Sequence, residues 1–372
     1  MIAPQRLPAS LTSLDAARAA LLRGLEPVAP VALPLAKSLG CVAADMPPLN
    51  PHPPRDIAIA DGWALRARDL VGASSYSPLP LIASPVWVEA GDAMPDGCDC
   101  VIDADAVDRI GPMFQALAEA VPGQGVRRAG GDIAEGNQIA SGRQVRPLDL
   151  LVARAAGLGS LSVRRPRLRI VNIPPDTGGA VTAPLIAESA RFEGAGVVCV
   201  EAAGRDVASV AAALDIGASD ILVTVGGSGV GRTDAVIAAL AGRGEVLAHG
   251  IALQPGRTAA VGRIGKVPVI ALPGAPDQAL AGWWTLVLPV LERLSARQPR
   301  QQVALPLARK IASSVGVTEL VLLEQIDGQW MPLATGELSL DAIARADAWL
   351  AISSGSEGQA AGTAVDAYML RE

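Results

Sequence analysis

The residues best suited to chemistry lie between Gly226 and Asp234. Four glycines stand within six positions, at Gly226, Gly227, Gly229 and Gly231, with Ser228 among them and a carboxylate following at Asp234. Glycine admits positive φ and lets the backbone come close to a ligand. A glycine-rich turn opening into a helix presents backbone N–H groups at the helix N-terminus, where an anion is favoured. The spacing is not the G-x-G-x-x-G of dinucleotide sites, and no G-K-S/T follows as in a P-loop. The stretch therefore reads as an anion-binding turn of neither common type. Asp234 stands directly before AVIAAL and suits an ordinary N-cap there as well as an acid in a site.

The elements that must position this turn are readable on either side of it. Ile221–Val225 is an unbroken apolar or β-branched run, the pattern of a parallel strand buried on both faces, and AVIAAL has the composition of a helix. Upstream, LRIVNI, then Gly194–Val200 and Val207–Leu214, continue the alternation of strand and helix. Such alternation implies a parallel sheet with right-handed crossovers. Ligands in these sheets bind beyond the carboxyl ends of the strands, which is where Gly226–Asp234 falls.

At 372 residues, half of them hydrophobic, the chain is long enough for about two to four domains, each with its own core. A formal net charge of −6 argues against a broad nucleic-acid surface, though not against a local basic pocket. The opening MIAPQRLPASLTSLDAARAALLRG has no continuous apolar core of the signal-peptide type. The longest apolar run, Ala279–Leu291, is too short to span a bilayer, contains Pro289, and reads as a buried helix. Cys41, Cys98, Cys100 and Cys199 fit neither a disulfide framework nor a zinc pattern, and His52 and His249 are the only histidines. These features point to a cytosolic (cytoplasmic) protein without a membrane span.

The organising stretch resembles the G-G-x-S-x-G-x-x-D signature of the molybdopterin-binding domain in the MoeA/gephyrin family, the molybdopterin molybdenumtransferases. Gly226, Gly227, Gly231 and Asp234 match, and Gly229 stands at the serine position. The resemblance runs along nearly the whole chain. DIAIADGWALRARD is similar to the family's S-x-M-D-G-Y/F-A segment, keeping Asp61 and Gly62 but with Ala58 and Ala60 for serine and methionine. By its own residues Asp61 is also an ordinary turn aspartate beside a glycine. AGDAMPDGCDCVI resembles the next family segment, with Ala90 for a threonine, and VRRAGGDIAEG keeps Asp132 and Gly136 of a third. GIALQPGRTA keeps Pro255 and Gly256 while Gln254 and Arg257 stand at basic positions, and VPVIALPGAP keeps Pro273, Gly274 and Pro276 with Ala275 for asparagine. After LRIVNI the family reads S-T-G-D/S-E-L. This chain reads PPDTGGAV, without the glutamate, and the following R-D-S/A-N is absent. The C-terminal stretch keeps Ala346, Asp347, Gly362 and Val365 of the family's last domain, while the arginine often found between Gly316 and Glu324 has no counterpart.

The resemblance implies an α/β multi-domain chain with the MoeA-like four-domain architecture. Residues 7–50 plus 132–165 would form a composite linker domain, with 51–131 inserted as a β-rich domain. Residues 166–296 would form the parallel-sheet molybdopterin-binding domain, and 297–372 a C-terminal β-barrel. It implies molybdenum cofactor biosynthesis: insertion of molybdate into molybdopterin, with adenylylated molybdopterin as the substrate whose hydrolysis accompanies insertion. The implied catalytic acids are Asp61, Asp132 and Asp234, with Asp234 and Asp61 as Mg²⁺ ligands. The implied binding residues are Gly226, Gly227, Ser228, Gly229, Gly231, Pro255, Gly256, Arg257, Pro273 and Gly274. Arg257 suits a bidentate oxyanion contact and equally a solvated turn. The resemblance also implies an elongated homodimer whose sites use both chains, with Ala279–Leu291 as either an interface helix or a core helix, and leaves room for contact with other molybdenum cofactor proteins. The thinned side-chain set leaves a second class open, a catalytically impaired paralogue that binds molybdopterin as a carrier or regulator. A third, a nucleotide-pyrophosphate hydrolase, does not account for the first two domains.

Overall fold

The computed structural model describes residues 5–8, 10–175 and 181–370. Residues 176–180, where the family's S-T-G-D/S-E-L would run, lie outside the described residues. The sheet that carries the glycine-rich turn has six strands, in the order Gly196–Glu201, Arg167–Asn172, Ile221–Val225, Val267–Leu272, Ala260–Ile264, Glu245–His249. The first four are parallel neighbours and the last two run antiparallel, so the sheet is mixed rather than wholly parallel. The reversal follows from a link of only Gly265 and Lys266, with Gly265 at φ +60, which closes a hairpin and leaves no room for a crossover. Ile221–Val225 is buried throughout. Ile221, Val223 and Val225 face one core with Ile186 and Leu286, and Leu222 faces the other with Val236 and Leu240, the two-residue alternation of a strand covered on both sides.

Helix Leu14–Leu22 is capped as its sequence indicates, with Ser13 Oγ accepting from Ala16 N–H at 3.3 Å. Its stripe of Leu14, Ala17 and Leu21 joins the α/β core, packing toward helix Leu288–Ser295. The Arg263 guanidinium donates to the carbonyls of Ala20 and Leu21 at the helix's C-terminal end, where a cation suits the helix dipole. Residues 12–25 thus pack with the α/β unit and not with 31–50, because their apolar face finds its partner there. The core that 31–50 does enter draws on Leu35, Cys41, Met46 and Leu49 together with Ile133, Val145, Leu150 and Leu161, beside the sheet Val31–Pro34, Ser160–Arg164, Val42–Ala43.

Between these halves three small sheets enclose their own clusters, one around Leu65, Leu70 and Cys100 and one around Ala58, Ala64 and Val101. In the last quarter of the chain, strands Gln302–Pro306, Ala364–Met369, Ala348–Ile352, Thr318–Ile326 and Gln329–Thr335 pair in that order. The sheet curls until Leu307 bridges Trp330, whose ring fills the centre. Strand Ile251–Gln254 extends this sheet, parallel to Thr318–Ile326 on one side and to Thr12–Ser13 on the other.

Helices Pro276–Gly282 and Leu288–Ser295 run on through a π turn at Trp283–Val287. Pro289 has no N–H to give the ladder, and one turn earlier the Thr285 hydroxyl back-bonds to Ala281 O at 2.7 Å. Trp283, Trp284, Leu286, Val287, Val290 and Leu291 are buried within one chain. Of the two roles open to Ala279–Leu291, the fold gives it the core.

Candidate functional site

The glycine-rich turn leaves the C-terminal end of Ile221–Val225, and Gly226 and Gly227 take φ of +89 and +69. A Cβ on Gly227 would stand 2.9 Å from Val236 Cγ2 and 3.3 Å from Ile173 Cγ2, so both conformation and space require glycine. The Gly226 N–H donates to Leu272 O at 2.9 Å, joining the turn to the neighbouring strand.

Beyond that point three successive carbonyls each meet donors. Gly227 O accepts from Gln5 Nε2 and from the Val236 N–H, both at 3.2 Å. Ser228 O lies 3.0 Å from His249 Nε2, and Gly229 O accepts from Gln5 Nε2 at 2.8 Å. A trans peptide is planar, so the N–H after each carbonyl points the opposite way. The N–H groups of Ser228, Gly229 and Val230 therefore turn away from Gln5 and His249, and among the described residues none of the three donates to a protein acceptor. Ser228 is completely buried, and its hydroxyl also lacks a partner among the described residues. A buried hydroxyl costs stability unless something else supplies its hydrogen bond. Successive N–H groups in such a concavity make an anion-binding nest.

The turn forms one wall of a cleft of about 490 Å³, whose other walls carry Ile173, Thr182, Arg205, Thr258, Pro273 and Gln278. The Thr182 hydroxyl donates to Gly274 O at 2.6 Å, tying the helix Thr182–Phe192 to the Pro273–Gly274 turn. Arg205 donates to Pro174 O at 2.7 Å, to Thr233 Oγ1 at 3.1 Å and to Asp234 Oδ1 at 3.0 Å, placing a guanidinium on the cleft wall.

Asp234 is not the N-cap. The helix runs Val236–Arg243 with Ala235 at the cap and no side-chain hydrogen bond there. Asp234 instead turns back, accepting from Arg205 with one oxygen and from the Gly231 N–H at 2.9 Å with the other. That pose depends on glycine at the serine position of the motif, because a Cβ on Gly229 would lie 2.6 Å from Asp234 Oδ2.

Of the sequence-derived residues, Gly226, Gly227, Ser228, Gly229, Asp234, Pro273 and Gly274 line this one cleft, and Gly231 braces Asp234. Pro255 and Gly256 are buried behind it, with Thr258 reaching the wall. Arg257 is exposed and lines a neighbouring cleft with Gln254, Glu319 and Glu337. The Gln254 amide donates to Gly336 O at 3.1 Å, so this replacement for a basic residue braces the C-terminal unit. Ala275 caps helix Pro276–Gly282 without a side-chain bond.

Asp61 and Asp132 lie in the small-sheet region and not on the glycine-lined cleft of their own chain. Asp61 Oδ1 accepts from the Ala90 N–H at 2.8 Å, bringing two of the sequence segments together. Asp132 pairs with Arg127 at 3.1 Å. Nearby Asp56 accepts from the Ala129 N–H at 2.8 Å and pairs with Arg128 at 2.7 Å, and these donors hold its carboxyl below the usual carboxylate range. The four cysteines are unpaired. Burial, with Asp99 nearby, pushes the Cys100 thiol up to about 11, which keeps it unreactive.

As placed, both Asp234 oxygens are engaged, one by a guanidinium and one by the Gly231 N–H, and among the described residues no group of three or more His, Cys, Asp or Glu side chains converges. The sequence reading missed Gln5, Thr182, Arg205 and His249. Only folding joins Gln5 to a turn more than two hundred residues away, and no local pattern marks it.

The family model described as MoeA N-terminal region (domain I and II) matches residues 12–157, and the one described as a probable molybdopterin binding domain matches residues 177–293. The chain is 31% identical over 307 residues to the Molybdopterin molybdenumtransferase 2 of Mycobacterium tuberculosis (strain CDC 1551 / Oshkosh), which covers 70% of this chain and 74% of that protein. It is 27% identical over 325 residues to the Molybdopterin molybdenumtransferase of Haemophilus influenzae, covering 77% and 79%. The solved structure of the molybdopterin biosynthesis moeA protein from Pyrococcus horikoshii OT3 superposes with a TM-score of 0.72 at 22% identity, covering 97% of this chain and all of that one. That last likeness speaks to the fold.

Proposed function

Because the chain belongs to the family of the molybdopterin molybdenumtransferases, we propose that it takes adenylylated molybdopterin into the cleft beside Gly226–Gly231 and inserts molybdate, as a step of molybdenum cofactor biosynthesis. The observation that carries this reading is the row of N–H groups at Ser228, Gly229 and Val230, with a Ser228 hydroxyl that has no partner among the described residues. These are donors matched to a phosphate oxygen. Hydrolysis of the substrate's phosphoanhydride adds one water across a P–O–P link and leaves two phosphate groups, one on AMP and one on the pterin. Preorganised N–H donors bind the non-bridging oxygens and offset the charge that develops on them. Arg205, fixed by Asp234, adds a cation on the same wall. Molybdate is the second substrate, and these donors favour oxyanions of that kind as well.

Asp61 and Asp132 are not among this cleft's lining residues, which supports the reading that they serve a site completed by a second copy in a homodimer. Light scattering that returned a monomer at micromolar concentration would remove that part. A cytosolic location accords with the substrates of this reading.

A second reading, a molybdopterin carrier or regulator that does not insert metal, is favoured by one specific feature. Asp234 on the cleft wall is already committed to Arg205 and the Gly231 N–H, and Gln254, beside the neighbouring cleft, is committed to Gly336. Turnover of adenylylated molybdopterin with and without molybdate and Mg²⁺ separates the two. AMP release that depends on molybdate, with metal in the product, is the expected result. Binding without release would establish the carrier, and no binding would overturn both.

A further inference from the structure

We propose that Gln5 and His249 are positioning residues for the anion-binding turn, holding it in the shape that presents its N–H groups to phosphate. The proposal rests on the reading that this turn takes the substrate's phosphate. Gln5 makes three bonds there: its Oε1 accepts from the Ile237 N–H at 2.8 Å, and its Nε2 donates to Gly227 O and Gly229 O. Those partners fix the amide's orientation, since a backbone N–H only donates and a carbonyl only accepts. The same bond to Ile237 occupies a donor at the start of helix Val236–Arg243, so the helix end is satisfied from behind while the turn's own N–H groups stay directed elsewhere.

His249 supplies the remaining carbonyl contact, at Ser228 O. A carbonyl cannot donate, so the hydrogen lies on Nε2. Neither side chain lines the cleft, and each acts only through the backbone it holds. The two are coupled in space. Gly250, beside His249, has φ +81, and a Cβ there would stand 2.9 Å from Leu7 Cδ2 and 3.1 Å from Pro8 Cδ. The segment carrying Gln5 thus crosses tightly over the turn that carries His249, and glycine is what lets it do so.

The pair makes a prediction that a purely stabilising contact does not. Gln5→Glu keeps the acceptor for Ile237 but loses both donors and sets a carboxylate against two carbonyls. His249→Ala removes a donor that His249→Gln is able to restore. Each variant, as the full chain, would be measured without ligand for amide hydrogen exchange at Gly226, Gly231 and Val236, whose N–H groups are bonded in and beside the turn, for affinity toward adenylylated molybdopterin by calorimetry, and for Tm. With about one to two hydrogen bonds lost, exchange in the turn should quicken and the Kd rise by roughly tenfold in Gln5→Glu, and less in His249→Ala. Tm should stay close to that of the unaltered protein, and His249→Gln should recover most of its effect. Exchange that is unchanged in Gln5→Glu would overturn the proposal whatever the affinity. If the unaltered protein does not bind adenylylated molybdopterin, the functional reading falls, and the exchange result still decides the role of Gln5.

Discussion

Two sets of turns in this molecule are held together in opposite ways. In the glycine-rich turn, side chains donate to backbone carbonyls: Gln5 to Gly227 and Gly229, and His249 to Ser228. In the small-sheet region, carboxylates accept from backbone N–H groups: Asp61 from Ala90 and Asp56 from Ala129, with arginines pairing Asp56 and Asp132. The first arrangement leaves the Ser228, Gly229 and Val230 N–H groups without a protein acceptor among the described residues, and the one carboxylate that joins it, Asp234 at Gly231, is paired by Arg205. The second consumes N–H groups and brings negative charge with it. A site built from backbone donors survives as long as the fold does, whereas a site built from side chains is lost one substitution at a time. Ala90, Gln254 and Ala275 stand where the resemblance has a threonine, a basic residue and an asparagine.

Gly227→Val should break the comparison most severely. It forces a branched side chain into φ +69 and against Val236, and strain of about 1–3 kcal/mol at such positions corresponds to a roughly five- to 150-fold rise in Kd for adenylylated molybdopterin. Calorimetry measures it, and binding within twofold of the unaltered protein would show that the backbone of this turn is not what recognises the ligand.

Ala275→Asn sharpens the comparison by adding a carbonyl acceptor at the cap of Pro276–Gly282. A restored N-cap is worth about 1 kcal/mol, so a denaturant titration should show that gain without tighter binding of the anionic ligand. A gain in affinity larger than the gain in stability would mean the asparagine touches the ligand directly.

The smallest effect separates the two regions by pH. The carboxyl of Asp56 titrates lower in the folded chain than in the unfolded one, because Ala129 and Arg128 favour its charged form. Its contribution is therefore complete above about pH 4 and lost as pH falls through the lower folded value. Protection across 126–131, taken relative to intrinsic exchange at each pH, should fall on acidification in that window, and Asp56→Asn should remove the dependence. Protection in the 226–229 turn should change less, since its acceptors are neutral backbone carbonyls and the nearby carboxylate, Asp234, meets the turn at Gly231. Equal acid sensitivity in both would erase the distinction.

Much of the architecture was legible in the sequence. The five-residue apolar run Ile221–Val225 is a strand with those bounds, and the alternation before it appears as strands Arg167–Asn172 and Gly196–Glu201 and helix Val207–Ala213. These are local consequences of periodicity. What failed was set by distance or by competition. Asp234 had the chemistry of an N-cap, but a guanidinium and the Gly231 N–H drew it back into the turn. Arg257 had the chemistry of an oxyanion ligand, but the chain turns it toward another cleft. Gln5 carried no signal, because its partners become neighbours only after the sheet has formed.

Strand Ile251–Gln254 has a mechanical consequence. It is hydrogen-bonded along both edges, to Thr12–Ser13 near one end of the chain and to Thr318–Glu319 far toward the other. Cutting the chain before the last quarter would strip one edge of that strand and leave unpaired amides directly ahead of the buried Pro255–Gly256 turn. An open strand edge is a template for another chain. A shortened version would thus be an adhesive fragment rather than a smaller working one, because Ile251–Gln254 already belongs to the C-terminal sheet and only Gly250 separates it from Glu245–His249 of the α/β sheet.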